Sequence, residues 1–436
     1  MARKPAAERL WVVAVAVVAA AVYAASLYIH DPSTPTLLGN WGFKYSDVVY
    51  GVFYPTFEKP DRWFSRELYV DFAATRSWCP MPYVHYKYEY PPLTGLLWYA
   101  TTCLGFKVAG SYKPASYREF LDIAARVHYY AQSAVLGASY ALLLAYAWRL
   151  GMSRRRILLL AALPSVLVYL IYNWDVLAAL FATAGLYEYY KKRYARSGVF
   201  FGLSAASKLL TVGIPAWLVF ELDVQGLRKE RNALLAGTLA VAGGAFALVA
   251  AASWQGFVDF LQHHASWYCE NCIYMIVERD IHSDVHRLSF VGFLVLTWLF
   301  MTRSRLLNPC QRLEGYLLLS LYSLVVLNYV FSPQMMLMLA PLSLLLLPGD
   351  LLKAYAAADA LNAAIILLFF KDADIRRLLG LPVEFNPWTL SSPVQWTAMA
   401  RNALLLGVMA ATALNALARC ENAQHSSTAL QDLKVN

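Results

Sequence analysis

Charge is scarce in this chain of 436 residues. Only 15% of the residues are charged, while 59% are hydrophobic and the mean hydropathy is +0.44. The strict alternation of apolar and polar residues that transmembrane β-strands need is also missing. Apolar runs of about 20 residues recur instead, which is the length that crosses a bilayer as a helix. The composition therefore predicts an all-α polytopic membrane protein, with residues 1–436 forming a single transmembrane domain and no soluble domain.

Several familiar motifs are absent as well. The chain has no G-x-G-x-x-G or G-x-x-x-x-G-K-[ST] pattern, so no nucleotide pocket is expected, and it has no N-x-[ST] glycosylation acceptor. The six cysteines are too sparse for a disulfide framework. Cys269 and Cys272 form a lone C-x2-C without a second ligand pair, which argues against zinc. A disulfide between them is possible if their loop is extracytoplasmic.

The net charge of +9 is carried mostly by short loops between apolar segments. Basic residues in such loops orient membrane helices, so we predict no nucleic-acid partner. We expect about 12 transmembrane helices, several of them short enough to be broken or tilted. Their predicted ranges are 10–29, 123–148, 157–172, 176–190, 198–207, 209–220, 233–254, 288–301, 313–331, 335–347, 354–370 and 396–417.

The segment 91–106, PPLTGLLWYATTCLGF, decides the topology because it is short for a span and opens with two prolines. If it crossed the membrane, Arg149 and the run Arg154, Arg155 and Arg156 would lie outside, against the positive-inside rule. We therefore predict that it lies along or dips into the outer interface. Both termini, including the polar tail 418–436, are then cytoplasmic.

This topology places four polar features on the outer face. They are the long first loop 31–122, in which we expect juxtamembrane helices, the turn 173–175, the turn at Lys208 and the loop 255–287. A site on that face requires these features to converge. Membrane lipids surround the protein, and the membrane is the plasma membrane if the source is a prokaryote.

Two ionisable residues stand out. Asp47, in KYSDVVY, is either a general base for a hydroxyl or a helix N-terminal residue that stabilises backbone amides. Lys208 ends a short apolar helix, where an ionised group is costly unless it is functional or paired. The alternative for Lys208 is a lysine that extends its ammonium to the interface.

Five stretches together resemble the GT-C superfamily of glycosyltransferases that use lipid-phosphate sugars. In chain order they are KYSDVVYGVFY, YKYEYPPLTGLL, NWDVLAALF, GVFFGLSAASKLLTVGIP and YVFSPQMMLMLAPL. The nearest relatives are the catalytic subunits of glycosylphosphatidylinositol mannosyltransferase I and the mannosyltransferases that use polyprenol-phosphate mannose. The resemblance implies a GT-C-like helix bundle with an extracytoplasmic active site. An accessory subunit is a further partner that relatives sometimes need.

The resemblance also implies the reaction. An inverting enzyme would move a hexose, mannose by family likeness, from a polyprenyl (dolichyl) phosphate to a hydroxyl of a lipid-linked glycan or glycolipid. Asp47 would be the base, and Lys208, Lys87 and His264 would bind the donor phosphate. The family's D-x-D is Asp47-Val48-Val49 here, so we predict no metal and no cofactor.

The remaining candidate residues lie in the same outer stretches. Predicted to bind the substrates are Tyr45, Tyr50, Glu89, Tyr90, Asn173, Asp175, His263, Glu270 and Gln334. Asn173 or Asp175 has helix capping as the competing role, and Lys87, Glu89 and the histidines have ordinary solvated or interfacial roles. Two other functions are open: a twelve-span transporter or flippase for a polyprenyl-linked or other amphipathic substrate, and a non-catalytic subunit that binds a polyprenyl lipid.

Overall fold

The computed structural model describes residues 5–307 and 313–417, and in that part of the chain every regular element is helical. The predicted tail 418–436 lies outside the described residues, as do Cys310 and Cys420. The helices are α1 (Pro5–His30), α2 (Phe53–Phe57), α3 (Arg66–Thr75), α4 (Pro92–Ser111), α5 (Tyr117–Arg149), α6 (Arg154–Ala162), α7 (Pro164–Tyr169), α8 (Asp175–Tyr190), α9 (Tyr194–Ser207), α10 (Gly213–Val224), α11 (Arg228–Thr238), α12 (Gly244–Ala252), α13 (Trp254–Ser266), α14 (Val285–Leu307), α15 (Leu313–Val325), α16 (Met336–Leu346), α17 (Gly349–Phe369), α18 (Asp372–Leu378) and α19 (Pro393–Leu417).

Five helices are long and apolar enough to cross a membrane. They are Leu10–His30, Arg228–Ala252, Val285–Leu307, Gly349–Phe369 and Pro393–Asn415. The chain is therefore a helical, multi-pass membrane protein. The second of these spans joins α11 and α12 through one π-helical turn, Leu239–Gly243.

The other predicted spans are shorter or interrupted. The segment 157–172 is split into α6 and α7 at Leu163–Pro164, because proline has no backbone N–H to continue the helix. The segment 209–220 opens with a 3-10 turn, Leu209–Val212, before α10 begins. The segment 313–331 is helical only as far as Val325. The backbone beyond Val325 turns back toward the outer loops and carries part of the site described below.

Helix α5 is 33 residues long and extends well past the end of α1. The rings of Trp11 and Trp148 lie 4.0 Å apart at one end, and the Tyr129 hydroxyl donates to the Leu27 carbonyl, 2.6 Å away, at the other. Because α1 continues for three residues past Leu27, residues 117–125 of α5 project beyond α1, by about 14 Å at 1.5 Å per residue.

Helix α4 packs along this projection of α5. The Gln132 amide donates to the Thr101 hydroxyl over 2.8 Å, and a Cβ on Gly105 would lie 2.6 Å from the Ala124 carbonyl oxygen. Helix α4 is longer than the predicted segment 91–106, with 20 residues, and it is not one of the five long apolar helices. That this segment does not cross the membrane stays a prediction.

An aromatic core holds the long loop between α1 and α4 together. Phe57, Trp63 and Phe72 are buried, and their rings lie 5 to 7 Å from one another. The rings of Phe57 and Phe72 also lie 5.0 Å from that of Phe106 in α4. A disulfide between Cys79 and Cys103 also ties the loop to α4, and a second disulfide joins Cys269 to Cys272. The Cys269–Cys272 disulfide is the one that the sequence had left possible. The Cys79–Cys103 disulfide was not expected, since sequence spacing did not show that these two cysteines meet.

Candidate functional site

Asp47 lies in a short π-helical turn, Asp47–Gly51, directly after the extended residue Ser46. Its backbone N–H donates to the Tyr172 carbonyl over 2.9 Å, which fixes the turn against the end of α7. The side chain is only 9% exposed. A Cβ on Gly51 would lie 2.7 Å from Asp47 Oδ1, so glycine at this position keeps that oxygen accessible. The local backbone thus presents one oxygen of a nearly buried carboxylate.

The two carboxylate oxygens of Asp47 have different surroundings. The Tyr90 hydroxyl and the Asn173 amide both donate to Oδ2, over 2.8 and 2.7 Å. Among the described residues, no donor is hydrogen-bonded to Oδ1. Burial raises the pKa of Asp47 to about 6, with a further contribution from the negative charge of Glu89, while both hydrogen bonds and the positive charge of Lys208 lower it. A carboxylate with such a pKa is ionised at neutral pH and still basic enough to accept a proton.

Lys208 follows α9 in an extended conformation and faces Asp175, the first residue of α8. The Lys208 Nζ lies 3.2 Å from Asp175 Oδ1, with side chains 15% and 1% exposed. The ammonium also lies 5.9 Å from the centre of the Tyr90 ring, whose hydroxyl binds Asp47. Lys208 is therefore paired and nearly buried, not extended into the interface.

The turn 173–175 contributes differently from a simple helix cap. Asn173 accepts the Trp174 backbone N–H and donates its amide to Asp47. Asp175 makes no capping hydrogen bond, and its second oxygen, Oδ2, is buried without a hydrogen-bond partner among the described residues. The predicted capping alternative for Asp175 is therefore wrong, because its carboxylate is directed to Lys208.

Helix α13 carries both predicted histidines and brings His263 to Glu89. The His263 Nε2 lies 3.7 Å from a Glu89 oxygen, and an Arg62 nitrogen lies 3.8 Å from the same oxygen. Burial lowers the pKa of His263, and it lowers that of His264 to about 4. At neutral pH His264 is therefore uncharged. Its Nδ1 is hydrogen-bonded to the Phe260 carbonyl over 2.9 Å, so it offers the remaining ring nitrogen and no positive charge.

Glu270 joins the same group of residues through the loop after α13. Its backbone pairs with Tyr329 and Phe331, and its carboxylate accepts the Trp267 indole N–H over 3.0 Å. Burial raises the pKa of Glu270, and the negative charge of Asp47 raises it further. Gln334 is nearly buried in a 3-10 turn, Pro333–Met335, three residues beyond that pairing.

Three predicted residues have other surroundings. Lys87 forms an ion pair with Asp259 over 3.2 Å and remains half exposed. Tyr50 packs its ring 5.0 Å from that of Trp41. Tyr45 packs against the Tyr172 ring at 5.6 Å, and its hydroxyl would lie 2.9 Å from a Cβ on Gly51, beside Asp47. Of the three, only Tyr45 is at the carboxylate.

Sequence reasoning missed Arg401, a buried arginine in the middle of α19. Its guanidinium donates to Asn362 Oδ1 over 2.7 Å and to the Phe331 carbonyl over 3.1 Å, and it lies 3.7 Å from the centre of the Phe331 ring. It fixes the non-helical segment around Phe331 that pairs with Glu270. The signal was present, because an arginine inside an apolar span is costly and calls for a partner. Arg62, which pairs with Glu89, was missed too, since its loop carries many charges.

Among the described residues, one group of side chains that could bind a metal lies close together. One ligand atom each of Cys269, Cys272 and His286 lies within 4.8 Å of the others. The C-x2-C pattern alone did not indicate the third member. Because the two sulfurs form a disulfide, they are not thiolates and lack the ionised form that binds zinc. This cluster is separate from Asp47.

Comparisons with protein-family models, with curated proteins and with solved structures find no match to this chain. The resemblance to lipid-phosphate-sugar-dependent glycosyltransferases therefore rests on the motifs alone.

Proposed function

We propose that this protein is an inverting glycosyltransferase that moves a hexose from a polyprenyl phosphate to a hydroxyl on the extracytoplasmic face. One observation carries the proposal. A nearly buried carboxylate, Asp47, has one oxygen held by Tyr90 and Asn173 and the other accessible, with the ammonium of Lys208 beside the same Tyr90 ring. These residues come from four separate stretches that the motif resemblance had singled out.

Asp47 is suited to accept the acceptor's proton. The acceptor oxygen attacks the anomeric carbon of the donor, its proton passes to Asp47 Oδ1, and the bond from that carbon to the phosphate oxygen breaks. The pKa of Asp47, about 6, keeps the carboxylate ionised at neutral pH and matches a general base to its working pH. The hydrogen bonds from Tyr90 and Asn173 fix the orientation of the carboxylate, which contributes through alignment.

Lys208 is suited to receive the departing phosphate, which leaves with the electron pair of the broken bond. An ammonium already in place where negative charge develops is an effective form of transition-state stabilisation. Asp175 holds Lys208 from the side away from bulk solvent. His264 contributes a neutral hydrogen-bonding group, while Lys87, half exposed and paired to Asp259, contributes at most long-range charge.

The donor supplies its own leaving group, so no nucleotide site is needed. Glu89 and Glu270, whose charges interact with Asp47, and His263, which lies 3.7 Å from Glu89, are suited to bind sugar hydroxyls. The sugar is mannose and the acceptor a lipid-linked glycan or glycolipid by family likeness. We propose that transfer needs no divalent metal, because Val49 replaces the second carboxylate of D-x-D.

The test is a transfer assay on purified protein in EDTA with two donors. One is a short-chain polyprenyl-phosphate mannose and the other a nucleotide-linked mannose, each offered with a panel of glycolipid acceptors. We expect transfer from the lipid donor alone. Transfer from the nucleotide sugar, or dependence on added Mg²⁺, would contradict the proposal. Translocation of the lipid donor across vesicles without any transfer would favour the flippase.

A further inference from the structure

A cavity lies far from Asp47, at the opposite end of α1 and α5. It is a groove of about 790 Å³ between these two helices, with Ile157 of α6 also contributing to its wall. Its volume is in the range of cavities that bind small molecules, about 300–1,000 Å³. Apart from the aromatic rings at its ends, the wall is formed largely by alanines, including Ala16, Ala19, Ala138 and Ala141.

The groove exists because large side chains separate the two helices at both of its ends. At one end the rings of Trp11 and Trp148 pack 4.0 Å apart. At the other, the Tyr23 hydroxyl donates to the Ser133 carbonyl over 3.2 Å, and its ring lies where a Cβ on Gly137 would be. Between these contacts the alanines are too short to fill the gap. From Trp11 to Tyr23 the groove is about 18 Å long at 1.5 Å per residue, close to half of a hydrocarbon core of about 30 Å.

At the Trp11 end, one hydrogen-bond donor of the groove wall and one directly beside it have no acceptor among the described residues. The indole Nε1 of Trp11 and the Nε of Arg154 are both buried, and among the described residues neither has a hydrogen-bond partner. The Arg154 guanidinium lies 5.3 Å from the centre of the Trp11 ring, and Arg149 lines the same end of the groove. Buried donors in native proteins nearly always have an acceptor, and two guanidinium groups favour an anionic one.

We propose that this groove binds one anionic phospholipid, with its phosphate at Trp11, Arg149 and Arg154 and an acyl chain along the alanines. The length of the groove fits a lipid of a single leaflet, and its charged end lies on the side where the Arg154–Arg156 run would be cytoplasmic. Basic pockets between membrane helices on that side are suited to anionic headgroups. This site is independent of the proposed transfer reaction.

The test is native mass spectrometry of the detergent-purified protein, mixed with equal amounts of phosphatidylglycerol and phosphatidylcholine that have the same acyl chains. We expect the wild type to retain phosphatidylglycerol at least fivefold over phosphatidylcholine. The double variant Trp11→Phe/Arg154→Gln should lose that preference. Ala138→Trp, which fills the groove, should lose the retained lipid altogether. Inorganic phosphate at 10 mM, a concentration of about a hundred times that of the lipid, should not displace it, because it has no acyl chain.

Arg228→Gln is the matched control, because it removes an exposed positive charge from a different helix and should leave retention unchanged. Size-exclusion elution shows whether each variant is folded; if Ala138→Trp is not, the double variant decides. Equal retention of the two lipids by the wild type would overturn the proposal, as would unchanged retention in the double variant. Displacement by inorganic phosphate would assign the site to free anions and would likewise overturn it.

Discussion

Two buried ion pairs in this protein have very different surroundings. Arg305 of α14 and Glu221 of α10 form two nitrogen–oxygen contacts of 2.8 and 2.6 Å, and Gln225 donates to the same carboxylate. Both side chains are less than a tenth exposed. Lys208 and Asp175, near Asp47, form a single contact of 3.2 Å. There the second oxygen of Asp175 has no partner among the described residues.

The difference separates a structural pair from one that is available to a ligand. A two-contact arginine–carboxylate pair has fixed geometry and joins two helices, so its charges are satisfied within the protein. In the Lys208–Asp175 pair, the flexible ammonium has N–H donors that Asp175 does not use. It also lies near Asp47, the proposed base. Breaking one partner of a buried pair is destabilising, whereas replacing both by apolar residues is often neutral. The two pairs can therefore be separated by experiment.

The largest expected effect is on stability at the structural pair. Glu221→Gln leaves the Arg305 charge buried with a neutral partner, and we expect the protein to lose about 3–5 kcal/mol of stability. A thermal unfolding scan should show a lower Tm, while transfer activity per folded molecule stays at the wild-type value. Replacing both partners, Glu221→Leu with Arg305→Met, should recover most of the Tm. A Tm unchanged in Glu221→Gln would show that this pair does not join α10 to α14 energetically.

The next effect is on activity at the site pair. In Lys208→Met with Asp175→Leu no unpaired charge is left behind, so we expect folding to survive. Transfer should fall by about 10²–10³-fold, because the leaving phosphate loses its positive partner. The measurement is kcat with the polyprenyl-phosphate donor, alongside Tm.

The matched control for that experiment is the double replacement at the structural pair, Glu221→Leu with Arg305→Met. It removes the same two charges from a buried position away from Asp47 and should keep kcat within about threefold of wild type, in line with near-neutral replacement of buried pairs. If both double variants lost activity equally, Lys208 would have no specific role in transfer.

The smallest effect is a displacement of the pH profile. Since Asp47 acts in its ionised form and its pKa is about 6, transfer should rise with pH through about pH 6 and level off above it. Glu89 raises that pKa and Lys208 lowers it. In Glu89→Gln the rise of transfer with pH, the acid limb of the profile, should therefore move to lower pH. In Lys208→Met the residual transfer should rise at higher pH than in wild type. Limbs that move in the same direction in both variants would contradict this electrostatic account.

Sequence patterns predicted the main features of the fold and several site residues. Apolar run length indicated the helical membrane class. Lys208 was singled out because an ionised group at the end of an apolar helix is costly, and Asp47 because its carboxylate lies in the long polar first loop, in a stretch that resembles a family motif. The predicted Asn173–Asp175 turn and Glu270 also lie near Asp47. These features could be predicted because hydrophobic runs, helix breaks and isolated charges are visible in short stretches of sequence.

The rest depended on contacts between distant parts of the chain. The Cys79–Cys103 disulfide, the pairing of Glu270 with Phe331 and the position of Arg401 beneath that pairing are set by tertiary packing. The break at Leu163–Pro164 was visible as a proline, yet the apolar run around it was read as one span. Burial, which makes His264 neutral, also cannot be read from the residue type.

The most direct test of the central claim is transfer by Asp47→Asn compared with Asp61→Asn, an exposed aspartate in the same loop. Asparagine can still accept the hydrogen bonds of Tyr90 and Asn173 but is not a base. We expect Asp47→Asn to lose about 10²–10⁴-fold in kcat, the usual contribution of a general base. Burial raises the pKa of Asp47 from 3.8 to about 6, so the fold loses stability progressively as the pH rises through that interval, and the full loss is present above about pH 6. The Tm of Asp47→Asn at pH 7.5 should therefore be no lower than that of wild type, and Asp61→Asn should match wild type in both measurements. Equal kcat in wild type and Asp47→Asn would contradict the account.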